Sequence, residues 1–566
     1  MARIRSMATS DTTSKVGELT GAVFIGDSAE RLGRNERRVA LLEKQRLLEE
    51  DLVEVKRRLN RETPVNELPE ELLAEVFYHL GYHSAPVAEA SDARDFSVVR
   101  TVCHQWDALI STTSRFWRAI RVRRSARWLT LCLSRSRNTP ISLSFGSYGT
   151  LNYPSDDCLL SEVLIPHMPR VHFLQILHFN NKWAGLLNTL DQFMPALREL
   201  WLQQENDWEN TTTPCVLRTT LPHLHSLSIV GPVDIQGIDQ CRELRELTLE
   251  RIPDTSAFIV LLAANRSLRN VTVIDCSRTK KFPSIAMSAT HHGTVILPGL
   301  RKLQLETSSH ALTTEILRRF CFPSATDVEI TLKASGDSSV WEYGPQLLHA
   351  VLLPEAPSFD AIFPMFGQTN NLDLTSDHEK TSLLATGPQH RITMNIRELH
   401  VGSSKLPFAL SDIIRVLPGL PVSFLSISVA YEEDHASPAA ALWEALFAAA
   451  PHLKTLIFWK SHGGCRYLWR GLLNASITAA NTGSLCCPSL SKLFVEDDLR
   501  LCPLYDLLGV LPTMVETLHY RNERGLRLDS LFFWLAGDRR SPEGLEVETE
   551  YRQVLGNLVD KLLFFP

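Results

Sequence analysis

The sequence lacks the features by which membrane-spanning and secreted proteins are recognised. No run of about 18 apolar residues, the length needed to cross a bilayer, is present. The richest apolar stretch, residues 439–450, is short and contains Glu444. The first 15 residues hold two arginines with no apolar segment behind them, so we expect no secretory signal.

An excess of positive charge is also absent. Lysine and arginine number 58 against 64 aspartates and glutamates, which gives a formal net charge of −6 and a pI near 6.4. General binders of nucleic acid or of anionic membranes carry the opposite balance. We therefore expect neither nucleic acid nor a membrane among the partners of this chain.

Cysteine pairs with redox or metal-ligand spacing are missing. The 11 cysteines are odd in number, scattered and without a Cys-x-x-Cys pair, which is typical of a reducing cytosol or nucleus. No Gly-rich phosphate loop, Gly-x-Ser-x-Gly motif or His-Glu-x-x-His motif occurs. His79 and His83 are four residues apart, but no further ligands accompany them. We predict no metal, no cofactor and no catalysis by the chain itself.

Large apolar residues are, in contrast, concentrated in three segments, at 68–80, 96–110 and 114–120. The first segment begins with Leu-Pro and two glutamates, which suits a helix start, and its apolar residues then recur at helical spacing. Gly81 is predicted to end this helix. The second segment has the same spacing and is predicted to be one helix. A small subdomain with a full core is one interpretation. An unburied face on which another protein docks is the other.

The order of residues in these segments resembles the F-box domain over residues 64–122. The family pattern is a Leu-Pro start, an acidic and apolar helix, a Val-Cys-x-x-Trp segment and a later tryptophan. This resemblance implies docking onto the Skp-type adaptor of a cullin–RING ubiquitin ligase. The loop at 81–95 is longer than the usual link and indicates a surface insertion. The residues expected to bind the adaptor, some of which could be core instead, are Leu68, Pro69, Leu72, Val76, Val99, Val102, Cys103, Trp106 and Trp117.

The segment before the F-box-like region divides into two parts. Residues 1–29 are small and polar, and we expect a disordered tail. Residues 30–62 are densely charged and rich in helix formers. Leucine or valine recurs there at a/d heptad positions, namely Leu41, Leu48, Leu52, Val55 and Leu59. A short dimerising coiled coil and a solvated helix both fit this pattern.

The remainder of the chain, residues 123–566, repeats the template Pro-x-Leu-x-x-Leu-x-Leu, which predicts a short strand with its leucines on one face. Helix-period segments separate these strands, at 184–193, 256–267, 311–320, 408–417 and 441–450. The third apolar position of the template falls on Leu174, Leu200, Leu227, Leu247, Val271, Leu303, Val328, Leu399, Leu456 and Leu493. A looser unit lies at 512–520. Residues 333–392 are predicted to be an insertion loop, ordered or disordered, with one weak strand at 371–374. The units resemble divergent leucine-rich repeats of fungal F-box proteins.

Together these patterns predict an α/β repeat protein with an N-terminal helix, a three-helix F-box and a leucine-rich-repeat-like solenoid. The resemblance implies the substrate-recognition subunit of an SCF-type E3 ubiquitin ligase, located in the cytoplasm, the nucleus or both. Its expected partners are the Skp-type adaptor, a cullin through that adaptor and an unknown protein substrate. A second copy joins them if residues 30–62 form a dimerising coiled coil. The alternative is a leucine-rich-repeat scaffold without a ligase role. No concentrated arginine cluster is expected on the strand face.

Overall fold

A computed structural model describes most of the chain, in two compact units that divide between Phe116 and Trp117. The described residues are 34–82, 96–122, 126–145, 162–179, 194–204, 215–217, 221–231, 233–235, 241–251, 255–274, 294–307, 310–333, 362–376, 380–397, 406–429, 440–460, 465–498, 504–536 and 542–565. The predicted tail at 1–29, most of the 81–95 loop and the predicted helix at 184–193 lie outside them.

The first unit is helical. Its helices are α1 (Arg34–Arg61), α2 (Glu70–Tyr82), α3 (Ser97–Arg100) and α4 (His104–Thr112), with 3-10 turns at Pro64–Glu67 and Ser114–Trp117. The charged segment is thus helical, as its composition predicts. Two expectations were wrong. Helix α2 continues through Gly81, and the second apolar segment is two helices, because Cys103 is fully extended (φ −157°, ψ 164°) and precedes α4 as its N-cap.

The second unit is an α/β structure built on one large, open and almost entirely parallel sheet. Alternating apolar and polar residues form its strands. The 21 strands of the described residues are β1 (Ala119–Val122), β2 (Ile141–Phe145), β3 (Val171–Phe179), β4 (Glu199–Gln204), β5 (Cys215–Leu217), β6 (Ser226–Val230), β7 (Val233–Ile235), β8 (Glu246–Glu250), β9 (Asn270–Ile274), β10 (Val295–Ile296), β11 (Lys302–Thr307), β12 (Phe320–Cys321), β13 (Asp327–Lys333), β14 (Asn371–Ser376), β15 (Lys380–Thr386), β16 (Arg391–Arg397), β17 (Phe424–Val429), β18 (Thr455–Lys460), β19 (Lys492–Asp498), β20 (Leu528–Ala536) and β21 (Val559–Phe565).

Helices connect many of these strands and supply the second layer. They are α5 (Ala126–Arg135), α6 (Thr255–Ala264), α7 (His310–Arg319), α8 (Leu406–Val416), α9 (Ala440–Ala449), α10 (Cys465–Asn481), α11 (Leu504–Asn522) and α12 (Pro542–Leu555). Helix α10 lies close against α9 because Gly471 has no side chain, and a Cβ there would collide with Trp443. Four of the helix-period segments in the sequence are confirmed as α6, α7, α8 and α9.

Strand pairing follows chain order except in one place. Pairing runs β1-β2-β3-β4-β6-β8-β9-β11-β13-β16-β15-β14-β17-β18-β19-β20-β21. Strands β5 with β7, and β10 with β12, form two small separate pairs. Among the described strands of the large sheet, only β15 runs antiparallel to its neighbours. The repeating α/β units therefore build one continuous sheet, compatible with a solenoid-like fold.

A ladder of apolar residues holds the large sheet in register. Nine of the ten predicted template positions are confirmed as buried strand residues, and Leu399 lies outside the described residues. The complete ladder, all at most 3 % exposed, is Ile120, Leu143, Leu174, Leu200, Leu227, Leu247, Val271, Leu303, Val328, Ile392, Ala385, Leu372, Leu425, Leu456, Leu493 and Leu531. Because a strand has a side-chain period of two, this register leaves the alternate residues on an open face.

The region predicted as an insertion, 333–392, is in part the centre of the sheet. Strands β14, β15 and β16 form a meander inserted in reverse order between β13 and β17. Buried Asn395 fixes its register, since its side chain donates to Thr331 Oγ1 at 3.0 Å and accepts from Ser382 Oγ at 2.8 Å. Residues 334–361 lie outside the described part. The weak strand predicted at 371–374 is confirmed as part of β14. Strand β15 and the reversed pairing order were not predicted, because polar residues alternate with the buried ones in these strands.

Two further boundaries differ from the sequence expectations. The loose repeat at 512–520 lies inside helix α11, because its buried residues Leu511, Met514 and Leu518 recur at helical rather than strand spacing. The helical unit ends at Phe116, before the predicted boundary at residue 122. Residues 119–122 are strand β1, which pairs in parallel with β2 and so belongs to the sheet.

The ladder predicts that a charge placed on it disrupts the sheet. Leu247→Asp buries an unpaired carboxylate and removes a packed side chain, so we expect the free energy of unfolding to fall by about 4 kcal/mol or more. Thr248→Asp, one residue away on the open face, is the matched control and is expected to change it by under about 1 kcal/mol. Thermal or urea unfolding measures both. Equal stability of the two variants would contradict the ladder.

Candidate functional site

Helix α2 has two apolar faces, only one of which is buried. Leu73 and Phe77 are at most 2 % exposed and form the core of the helical unit. Leu72, Val76 and Leu80 follow one another four residues apart and are 54 %, 43 % and 69 % exposed. Leu68, just before the helix, is also exposed. We call Leu68, Leu72, Val76 and Leu80 the apolar stripe. It is a continuous helical surface left uncovered by this unit.

Helix α3 and the turn after it add exposed valines. Val98 and Val102 have exposed side chains, whereas Val99 is half-buried. Leu80 and Val98 lie in the apolar segments 68–80 and 96–110 of the sequence but are not among the nine predicted binding residues. The spacing of Leu80 four residues after Val76 is the signal that could have selected it.

Trp106 is half-buried in the helical unit, where ring packing and a chain of hydrogen bonds hold it. Its ring lies 4.6 Å from that of Phe77, measured between centroids. Its Nε1–H donates to Asn66 Oδ1 at 2.6 Å, and Asn66 Nδ2 donates to the carbonyl of Asn60 at 2.5 Å. Trp106 therefore joins α4 to α2 and to the end of α1. These contacts indicate a packing role rather than a free binding surface.

Two charged contacts position α3 and α2 within the same unit. Arg100 Nε donates to Asp107 Oδ1 at 2.6 Å and links α3 to α4. Arg115 pairs with Glu75 of α2, and its guanidinium lies 3.5 Å from the centroid of the Tyr78 ring. The groups are partly exposed, so each pair contributes modestly to stability. Their effect is to orient the helices that carry the exposed apolar residues.

The structure separates the nine predicted adaptor-binding residues into three groups. Leu68, Pro69, Leu72, Val76 and Val102 are exposed, and Val99, Cys103 and Trp106 are half-buried. Trp117 is 6 % exposed and belongs to the sheet unit. Its ring lies 5.8 Å from that of Trp128 and 4.5 Å from the Arg135 guanidinium. Its side chain is thus part of the core of the sheet unit and is not exposed for binding.

A second candidate surface lies on the open face of the last four strands of the sheet. The rings of Phe494 and Phe532 stack in parallel with centroids 3.9 Å apart. Trp534 lies 5.8 Å from Trp459 and 6.4 Å from Phe565. These five residues are the aromatic cluster, and all are half-exposed or exposed. Large aromatic side chains on an open sheet face are the residues most enriched in protein interfaces.

Parallel pairing places the aromatic cluster, and a buried arginine supports the turn before it. In register, Phe494 lies opposite Phe532, and Trp534 lies opposite Phe565.

Arg521 is 1 % exposed and donates to the carbonyls of Cys486 and Cys487 at 3.1 and 3.3 Å. Burial lowers the pKa of Arg521. Its two bonds hold a turn in which Cys487 adopts a left-handed φ of 41°, just before β19.

The aromatic cluster was not selected from the sequence. Its signal was present in the strands IFW (457–459), LFV (493–495) and LFFW (531–534), where aromatic residues occupy the positions between buried ones. Farther along the open face the corresponding positions are mostly polar, for example Ser228, Thr248, Thr272 and Gln304. Only the pairing order shows that the aromatic positions are adjacent, because three helices and several loops separate them in sequence.

Searches for other kinds of site gave negative results over the described ranges. Within them, no group of three or more histidines, cysteines, aspartates or glutamates is arranged to hold a metal ion. In the same part of the chain, no helix combines the length and hydropathy needed to cross a membrane. Compared with known proteins, the chain matches no protein-family model and no curated protein sequence. The proposed function therefore rests on the apolar stripe and the aromatic cluster.

The contacts of Trp106 generate a stability prediction. Trp106→Phe keeps an aromatic ring but removes the donor to Asn66, so we expect the helical unit to lose about 1–2 kcal/mol. Val102→Ala removes an exposed side chain and is expected to cost under about 0.5 kcal/mol. Amide hydrogen exchange of α2 and α4 reads the local stability. Unchanged protection in Trp106→Phe would show that this hydrogen bond is not structural.

Proposed function

We propose that this chain is the substrate-recognition subunit of an SCF-type cullin–RING E3 ubiquitin ligase. The observation that carries the proposal is the apolar stripe. It lies on the helix whose sequence resembles the start of an F-box, and its side chains are not buried in the core of the unit. In this role the protein is not itself an enzyme, and ubiquitin transfer occurs in trans on a substrate held nearby.

The proposed docking surface for the Skp-type adaptor consists of the apolar stripe with Pro69, Val98 and Val102. These side chains are exposed, and water leaves them when a partner covers them. A standard protein interface buries about 800 Å² on each partner, more than one helical stripe offers, so α3 and its following turn would contribute. Trp106 acts as a positioning residue, since its contacts hold α4 against α2.

The proposed substrate surface is the aromatic cluster on the open face of β18–β21. Tryptophan and tyrosine-like aromatic groups dominate binding energies when a partner excludes water around them. The strands beneath them are fixed by the buried ladder, so the rings are presented on a rigid support. Rigid presentation lowers the entropy lost on binding.

The second candidate function is a scaffold that binds partners without directing their degradation. Helix α1 favours it, because Leu41, Leu48 and Val55 keep their heptad spacing and are all more than half exposed. A second copy could cover this seam and form a two-stranded coiled coil. The two functions differ in what happens to a bound partner.

Adaptor binding by the full chain tests the docking surface. Leu72→Ala with Val76→Ala removes two central apolar side chains, and we expect the affinity for a Skp-type adaptor to fall at least about tenfold. The matched control is Leu48→Ala with Val55→Ala on α1, which is expected to leave it unchanged. Calorimetric titration measures both. If the folded wild-type protein does not bind the adaptor, the ligase proposal is wrong.

Partner capture and partner abundance together separate the ligase from the scaffold. We expect Phe532→Ala with Trp534→Ala to lose partners that the wild type captures in cells, because the stacked rings are broken, while adaptor affinity is retained. For a captured partner, we expect abundance to rise in cells carrying the Leu72→Ala/Val76→Ala variant. Quantitative mass spectrometry measures capture and abundance. A captured partner whose abundance does not change would favour the scaffold.

A further inference from the structure

A row of basic residues crosses the first half of the sheet at the edge where the strands begin. Arg198, Arg245, Arg269 and Arg301 each immediately precede a strand, as does His225, and His172 lies at the same level in β3. We call these six residues the basic row. Backbone hydrogen bonds of 2.7–2.8 Å join each member to the next, from the amide of Arg198 to the carbonyl of His172 and onward to Arg301. The residues are therefore neighbours on adjacent strands.

The fold does not require arginine at this level. In the second half of the sheet, the same backbone position is occupied by Ser423, Lys454 and Ser491, which make equivalent hydrogen bonds. The four arginines of the basic row are exposed. Within the described residues, none of their guanidinium groups takes part in an ion pair or a side-chain hydrogen bond. Four unpaired cations are thus held in register without a structural need for their charge.

The surrounding turns strengthen the positive charge. Arg242, Arg266 and Lys302 lie in the turns that lead into β8 and β9 and at the start of β11. With the four arginines of the row they make seven positive charges among the described residues of this edge, against the four negative charges of Glu199, Glu243, Glu246 and Asp327. The edge has a formal excess of three positive charges, although the whole chain has a net charge of −6. The excess is therefore a local feature.

One of the three glutamates, Glu243, is already engaged by histidines. Glu243 Oε2 lies 3.4 Å from His223 Nδ1 and 3.3 Å from His225 Nε2. Hydrogen bonds from His223 and then His225 lower the pKa of the Glu243 carboxyl, so it stays ionised and directed at the imidazoles. Within the described residues, its only ion-pair partners are these two histidines and not the neighbouring arginines. Arg269 and Arg301 are the members of the row farthest from Glu199 along the strand order, and Asp327 follows Arg301 on the next strand.

We propose that the basic row binds an extended segment of a partner protein that is rich in aspartate and glutamate. Strands in a sheet lie about 4.8 Å apart, so six members span about 24 Å, which matches about seven residues of extended chain. Guanidinium groups pair with carboxylates through two parallel hydrogen bonds, which favours recognition of carboxylate side chains. The interspersed glutamates and the absence of aromatic residues within the row disfavour nucleic acid, which is bound by uninterrupted charge and base stacking.

This proposal is independent of the ligase proposal, because it uses neither the apolar stripe nor the aromatic cluster. Adaptor affinity and acidic-peptide affinity are separate measurements on separate units of the chain. Loss of one proposal leaves the other intact.

The test uses the full chain and a fluorescein-labelled peptide of about twelve residues that alternates glutamate with serine, long enough to span the row. Fluorescence anisotropy at about 50 mM salt is expected to show binding that weakens as salt is raised to about 300 mM. The triple variant Arg245→Glu/Arg269→Glu/Arg301→Glu is expected to bind at least about tenfold more weakly. Arg127→Glu/Arg318→Glu/Arg466→Glu is the matched control, since it changes the charge equally at exposed helical positions.

Retained binding in the control, with loss in the row variant and unchanged thermal unfolding of both, supports the proposal. Any of three results overturns it. The wild type could fail to bind the peptide at low salt. The control could lose as much affinity as the row variant, which would show that only net charge matters. A single-stranded oligonucleotide of equal charge could bind more tightly than the peptide, which would assign the row to nucleic acid.

Discussion

The in-register burial of one apolar residue from each strand is the constraint on which the rest of this structure depends. A strand such as β8 has a single buried face, and it cannot exclude water from Leu247 without neighbours on both sides. Parallel pairing supplies these neighbours and extends the same ladder from β1 to β20. Apolar burial is thereby concentrated on one face, and most of the alternate positions are half-buried or exposed. Packing therefore constrains the residue types of the open face and of the strand edges less.

The two surfaces of the sheet unit show how that freedom is used. At one end, aromatic residues from β18, β19, β20 and β21 meet on the open face, although they are far apart in sequence. In the first half, arginines are aligned where the strands begin. The helical unit follows a different logic. Its core is small, so Leu73 and Phe77 fill it and Leu72 and Val76 remain outside. A partner that covers Leu72 and Val76 would bury the apolar surface that this unit cannot bury by itself.

Sequence patterns predicted the repeats well where the inward positions of a strand are large apolar residues. Leucine templates marked nine strands of the ladder because burial on one face leaves a period of two. They missed β15, whose outward residues are polar, and the reversed pairing order of β14–β16, since strand order depends on contacts between distant segments. They also misassigned 512–520, where apolar residues at helical spacing partly fit the strand template. The surplus of apolar residues at 68–120 does not indicate which of them are buried, so it could not separate Trp117, which is core, from Leu72, which is exposed.

The sequence by itself determined the alternation of helix and strand, the identity of the inward leucines and the surplus of apolar residues at 68–120, because these are local properties of periodicity and composition. Only the tertiary structure decided which of those apolar residues stay exposed and which strands are neighbours. The basic row and the aromatic cluster arise from neighbouring strands alone. Apart from Phe532 and Trp534, which share β20, each contributing residue lies about 20 or more residues from the next in sequence. Hydrogen bonding between parallel strands brings neighbouring strands to about 4.8 Å.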